Sequence, residues 1–153
     1  MYIPSKPDKY GMKVIMVCDA KTTYMCSAVP YIGKEQRDPQ NGSIPTQYVL
    51  KLTENIQGTN RNITMDNWFT SCELTEKLLE KGLTMVGTLR KNKREIPPQC
   101  LETKHSQIPS SAFAFTLKKL TLVSHVPKRN KCVILIRSMH SHDNVDQATS
   151  KPE

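Results

Sequence analysis

No Cys-x-x-Cys pair occurs in this chain, although it holds five cysteines, Cys18, Cys26, Cys72, Cys100 and Cys132. Their number is odd and their spacings are wide, so neither a disulfide framework nor a zinc ribbon is supported. Unpaired thiols of this kind fit a reducing compartment. No stretch approaches the roughly 18 consecutive apolar residues that a membrane-spanning helix needs. The first residues also lack the apolar centre of a signal peptide. The expected protein is soluble and intracellular, with no membrane partner. Aromatic residues are scarce, at 6%, and hydrophobic residues reach only 37%, which predicts a modest core. Acidic residues are the remaining shortage: 14 Asp and Glu stand against 22 Lys and Arg.

That imbalance leaves a formal net charge of +8. A positive balance attracts polyanions over long range and gains from counterion release when it meets nucleic acid. The plainer reading is a solvated basic surface on an ordinary protein. The 153 residues fit one domain, large enough to bury a core without disulfides or zinc. Ten prolines predict an architecture interrupted by loops.

The polar lead-in gives way at Met12 to Cys18 to a nearly continuous apolar run, which suits a strand buried on both faces. Thr22 to Val29 is a second strand candidate, joined to the first by a turn at Ala20-Lys21 as a hairpin. Gly33 to Gly42 reads as a polar loop with room for a short strand at its start. Pro45 to Ile56 predicts a helix: Pro45 suits its first turn, and Tyr48, Val49, Leu52 and Ile56 fall on one face. Asn62 to Phe69 predicts the next strand. Thr70-Ser71-Cys72-Glu73 has capping-box spacing, Leu74, Leu78 and Leu79 form an apolar face, and Gly82 suits the position just past a helix end. Thr84 to Leu89 is another β-branched strand, and Ala112 to Leu117, Lys119 to His125 and Cys132 to Ser138 are three more. The order predicts a mixed α/β sheet, antiparallel first and then parallel through helical crossovers. The last three strands read as an appended β-rich segment.

Two aspartates close apolar runs: Asp19 after Val14-Ile15-Met16-Val17-Cys18, and Asp66 after Asn62-Ile63-Thr64-Met65. Carboxylates at two strand ends can converge on one metal site if those strands are parallel neighbours. Two-metal phosphoryl transfer needs such carboxylates on either side of the scissile phosphate. Magnesium binds through one or two carboxylates plus substrate oxygens and water. The bland alternative is that both aspartates cap turns.

The surrounding residues narrow the choice. Tyr2-Ile3-Pro4-Ser5-Lys6-Pro7, Tyr10-Gly11-Met12-Lys13, Cys18-Asp19 and Asn62-Ile63-Thr64-Met65-Asp66-Asn67-Trp68-Phe69-Thr70-Ser71 come first. Val86-Gly87-Thr88-Leu89-Arg90-Lys91-Asn92-Lys93-Arg94-Glu95-Ile96-Pro97 and Leu120-Thr121-Leu122-Val123-Ser124 follow in order. Together they span nearly the whole chain and resemble the catalytic core of piggyBac-type transposases and their domesticated derivatives. The resemblance implies an α/β, ribonuclease H-like mixed sheet with flanking helices, plus the appended β-rich insertion segment. It implies a partial core over residues 1–97 and the insertion with a polar end over 98–153. It also implies a DDE-type site holding Mg2+ or Mn2+, in which Asp19 matches the first acid and Asp66 the second. The family's third acid belongs to a Gly-Gly-Val-Asp type motif, and no such motif is present. The expected chain is thus a fragment or a decayed copy, inactive by itself. Asp143 and Asp146 are the late aspartates that could stand in, flanked by His140 and His142; solvated surface is the plainer reading of all four.

The same resemblance makes DNA the expected partner, as transposon ends and target, and allows a homodimer of the full-length protein. Arg90, Lys91, Lys93 and Arg94 form the candidate DNA-binding cluster, contacting phosphates and giving affinity without sequence choice. The same run could act as a nuclear-import signal, which makes the nucleus the expected compartment. A solvated turn is the alternative. Trp68 could stack on a base but reads better as a packing anchor, and Cys18 as a small buried apolar residue. Two rivals to the transposase reading remain: a domesticated module that binds DNA or protein without catalysis, and a transposon relic that does not fold stably.

Overall fold

Two strand-forming runs, Lys13–Cys18 (β1) and Met25–Tyr31 (β2), pair antiparallel with Val14 opposite Pro30 and Met16 opposite Ala28. They belong to the first of two compact units, Met1–Ile56 and Gln57–Glu153, in a computed structural model that describes residues 2, 4–5, 7–31, 42–102, 108–116, 119–139 and 145–146. β1 differs from the double-faced burial expected of it. Ile15 is its one buried residue, while Val14 and Met16 stay 42% and 50% exposed. The reason is topological: among the described residues β1 is hydrogen-bonded to β2 alone, and alternate side chains leave opposite faces of a strand. The polar loop expected over Gly33 to Gly42, with its candidate strand, lies outside the described residues except for Gly42.

Helix α1, Ile44–Leu52, starts where Ser43 accepts the Thr46 N–H at 3.4 Å and Pro45 occupies the first turn. Tyr48, Val49 and Leu52 are buried, as their spacing predicts. The helix stops short of Ile56. Thr53 turns its hydroxyl onto the Val49 carbonyl at 2.8 Å, and a short 3-10 turn, Glu54–Ile56, follows.

The second unit holds the main sheet. Asn62–Met65 (β3), helix Cys72–Glu80 (α2) and Thr84–Leu89 (β4) form a βαβ unit in which β3 and β4 are parallel, with Met65 opposite Gly87. Ser110–Phe115 (β5), Thr121–Lys128 (β6) and Lys131–Arg137 (β7) follow without an α-helix between them. The strand order is β3-β4-β7-β6-β5. β7 pairs antiparallel with β4, Leu89 opposite Ile134 and Val86 opposite Arg137. The mixed α/β class is as expected. The compact units part between Ile56 and Gln57, and the β4–β7 ladder ties the last three strands to the sheet of the βαβ unit. Leu74, Leu78, Leu83, Met85, Val123, Ile134 and Ile136 make the core of this unit, each no more than 2% exposed.

α2 is capped by Ser71, which accepts the Leu74 N–H at 3.1 Å, and not by Thr70 as the capping-box spacing suggests. Thr70 gives its hydroxyl to the Asp66 carbonyl instead. At the other end Gly82 has φ +67°, with Leu83 N–H on the Leu78 carbonyl and Gly82 N–H on the Leu79 carbonyl. This is a Schellman ending. A Cβ on Gly82 would also stand 3.0 Å from Gly58 Cα, whereas one on Gly58, itself at φ +73°, would meet nothing within 4 Å. Both alanine variants carry the left-handed penalty of about 1–2 kcal/mol. Gly82→Ala is therefore expected to cost more than Gly58→Ala in urea denaturation, and equal midpoints would refute the packing part of this account.

Candidate active site

Asp66 follows directly on the last residue of β3, and its turn is built from its own atoms. Asp66 Oδ1 accepts the Trp68 N–H at 2.9 Å, an Asx turn that sends the chain off the sheet. The Asp66 carbonyl accepts both the N–H and the hydroxyl of Thr70, at 3.1 and 2.7 Å. Asp66 is exposed, and its second carboxylate oxygen, Oδ2, makes no hydrogen bond among the described residues. Trp68 is half-buried and lies edge-on to Phe69, ring centroids 4.6 Å apart, in keeping with its reading as a packing residue.

The floor of this turn is Gly87 on β4. A Cβ there would overlap Thr70 Oγ1 and stand 3.0 Å from the Met65 carbonyl oxygen and 3.2 Å from Thr70 Cγ2. A glycine inside a strand often marks such a close approach. Gly87 and Thr70 are the positioning residues that motif reasoning passed over, and the isolated Gly in a β-branched run was the available signal.

Parallel strands open their carboxyl ends on one side of a sheet, where α/β folds place ligands. Asp66 follows β3 and Arg90 follows β4, so both stand at that side. A hydrogen bond from Arg90 Nε to Asn67 Oδ1 at 3.2 Å ties the two loops together. The rest of the basic run is a turn: Lys93 N–H meets the Arg90 carbonyl, and Ile96, 5% exposed, anchors its far end. Arg90, Lys91 and Arg94 are exposed and Lys93 is half-buried. None of them forms an ion pair among the described residues, whereas Lys77 and Glu73 on α2 do. The nearby Cys72 thiol is pushed above its usual range by burial first, then by Glu95 and Glu76, with Lys93 opposing. It is therefore a poor nucleophile.

Asp19 belongs to the first unit, in the turn between β1 and β2. Its Oδ2 accepts the Thr22 N–H at 2.8 Å and the Thr22 hydroxyl at 2.5 Å, and its own N–H meets the Tyr24 carbonyl. Like Asp66 it is exposed and shapes a turn. Among the described residues β1 pairs with β2, and β3 with β4. Asp143, His140 and His142 lie outside the described residues, and Asp146 is half-buried.

The family model described as Transposase IS4 matches residues 1–152. The chain is a piggyBac-type member of that family. A cryo-EM structure of the piggyBac transposase synaptic complex with hairpin DNA has the same fold over 99% of this chain, with a TM-score of 0.90 and 43% identity. The chain spans 32% of the length of that solved chain. The mixed sheet with few helices is thus a transposase catalytic-domain fold.

Membership in a DDE-type family implies use of a divalent metal. Magnesium and manganese favour carboxylate, carbonyl and water oxygens. Asp66, exposed and with Oδ2 unengaged among the described residues, offers an oxygen of that kind. No three His, Cys, Asp or Glu side chains among the described residues stand close enough to hold an ion.

Proposed function

We propose that this chain is part of the catalytic region of a transposase that cuts and joins DNA. In this reading Asp19 and Asp66 are two of the metal-ligating carboxylates, and Arg90, Lys91, Lys93 and Arg94 contact DNA phosphates. Mg2+ or Mn2+ would supply charge neutralisation and an activated water when bound. Transposon ends and target DNA are the partners, the full-length protein works as a homodimer, and the nucleus is its compartment.

The observation that carries this reading is the arrangement at the carboxyl ends of β3 and β4. A carboxylate is held by one oxygen in a rigid turn, and its loop is hydrogen-bonded to the first cation of an unpaired basic run. The turn orients Asp66, and the cations draw a polyanion to it, a matter of positioning and charge more than of covalent chemistry. By itself the chain does not complete strand cleavage. With Mg2+ or Mn2+ present, its nicking of supercoiled plasmid is expected to stay level with that of an Asp66→Asn control. Metal-dependent nicking that the substitution abolishes would overturn the inactivity, though not the assignment of Asp66.

A non-catalytic, domesticated DNA-binding module is the second reading. It is favoured by the absence of a three-acid group among the described residues and by the turn-capping work both aspartates do. Manganese titration followed by its paramagnetic signal separates the two. Weak binding lost in Asp66→Asn supports the catalytic lineage, and no binding at all supports the non-catalytic module.

A further inference from the structure

The β6–β7 hairpin ends in Lys128-Arg129-Asn130-Lys131, four exposed residues turned through Asn130 at φ +60°. Lys128 and Lys131 are cross-strand partners in the ladder. Like charges placed directly opposite one another destabilise a hairpin, and a third cation sits between them. None of the three side chains makes a hydrogen bond or ion pair among the described residues. Nothing in the folded unit accounts for this concentration of charge, whereas a bound polyanion would relieve it.

The sheet register aims the hairpin. Leu89, the last residue of β4, faces Ile134 of β7. Lys131, Cys132 and Val133 therefore continue past the end of β4 by about 10 Å, at roughly 3.4 Å per residue. Because β3 is parallel to β4, this is also the side on which Asp66 leaves the sheet. Arg90 begins the basic turn one strand away from β7, a sideways step of about 4.8 Å. The two cation clusters thus border the same end of one sheet.

We propose that Lys128, Arg129 and Lys131 form a second contact for the DNA phosphate backbone, extending the track begun by Arg90, Lys91, Lys93 and Arg94. The inference rests on the DNA-binding reading above. Phosphate contacts of this kind fix the register of the duplex without reading its sequence.

The test is binding of the full 153-residue chain to a short duplex of arbitrary sequence, followed by fluorescence anisotropy between about 50 and 200 mM salt. The triple variant Lys128→Gln/Arg129→Gln/Lys131→Gln is compared with Arg61→Gln/Lys81→Gln/Lys119→Gln. That control removes the same number of charges from the opposite end of the sheet, before β3, after α2 and before β6. The hairpin variant is expected to lower the log–log salt slope by about 2–3, roughly one for each phosphate no longer neutralised, and to weaken binding tenfold or more. The control is expected to leave the slope unchanged, and Lys128→Arg/Lys131→Arg to preserve it. An unchanged slope in the hairpin variant, with a lowered slope in Arg90→Gln/Lys91→Gln/Arg94→Gln, would overturn the hairpin contact and leave the DNA reading standing. Equal losses in hairpin and control variants would reduce the effect to net charge and also overturn it. No binding by the unaltered chain at the lowest salt would remove the DNA reading itself. Thermal melting of each variant checks that it is folded.

Discussion

Replacing Gly87 by alanine is expected to destabilise the Gln57–Glu153 unit by about 3 kcal/mol or more. The added methyl would overlap Thr70 Oγ1 and crowd the Met65 carbonyl. Neither neighbour is the free end of a flexible chain. Met65 belongs to the β3 ladder. Thr70 is 2% exposed, and its hydroxyl is committed to the Asp66 carbonyl. Overpacking alone costs about 1–3 kcal/mol, and a buried hydroxyl forced off its acceptor adds about 1–3 kcal/mol. The injury has a local reporter as well. Trp68, the single tryptophan of the chain, sits in the Asp66 turn, so its emission is expected to shift to the red in Gly87→Ala under conditions where the fold persists. A double-mutant cycle isolates the cause. Thr70→Ala removes both Thr70 atoms that the new methyl would meet, so the double variant should cost clearly less than the sum of the singles. Additive losses would show that Thr70 is not what Gly87 makes room for.

Leu78→Ala is expected to cost about 3–5 kcal/mol in chemical denaturation, and Leu79→Ala about 1 kcal/mol. The two leucines are adjacent on α2, and their spacing from Leu74 groups both on one apolar face. Leu78 is 0% exposed, in a helix that joins β4 through the Thr75 hydroxyl, which donates to Met85 Sδ at 3.1 Å. Its removal leaves a cavity among side chains that are themselves fully buried. Leu79 is only partly covered, so water replaces much of what it loses. Against total stabilities of about 5–15 kcal/mol for domains of ordinary size, the first substitution is large enough to unfold much of the population. Similar midpoints for the two variants would mean that α2 does not pack on the sheet in the orientation described.

Much of this fold was readable residue by residue. The β-branched run at Thr84 to Leu89 became β4, the Leu74–Leu78 spacing became the inner face of α2, and Gly82 became its ending, because each is decided within a few residues of chain. The two aspartates were also legible, as polar residues that close apolar runs, and the ordered motifs around them identified the family. What misled was the step from strands to sheets. An apolar run at Met12 to Cys18 looked doubly buried, yet among the described residues β1 pairs with β2 alone and keeps Val14, Met16 and Cys18 exposed. Nor did the appended β-rich run show where it would join the sheet, with β7 next to β4.

The sequence by itself determined the element types, the turn-forming role of Gly82, the two strand-end acids and membership in a transposase family. These depend on local periodicity, side-chain chemistry and motif order. Only the tertiary structure decided that Thr70 rests on Gly87 beneath Asp66, that Arg90 bonds Asn67, and that Lys128 to Lys131 stand at the same end of the sheet as the basic turn. Those facts follow from which strands pair, and strand pairing is chosen by packing between residues far apart in the chain, which no local pattern records.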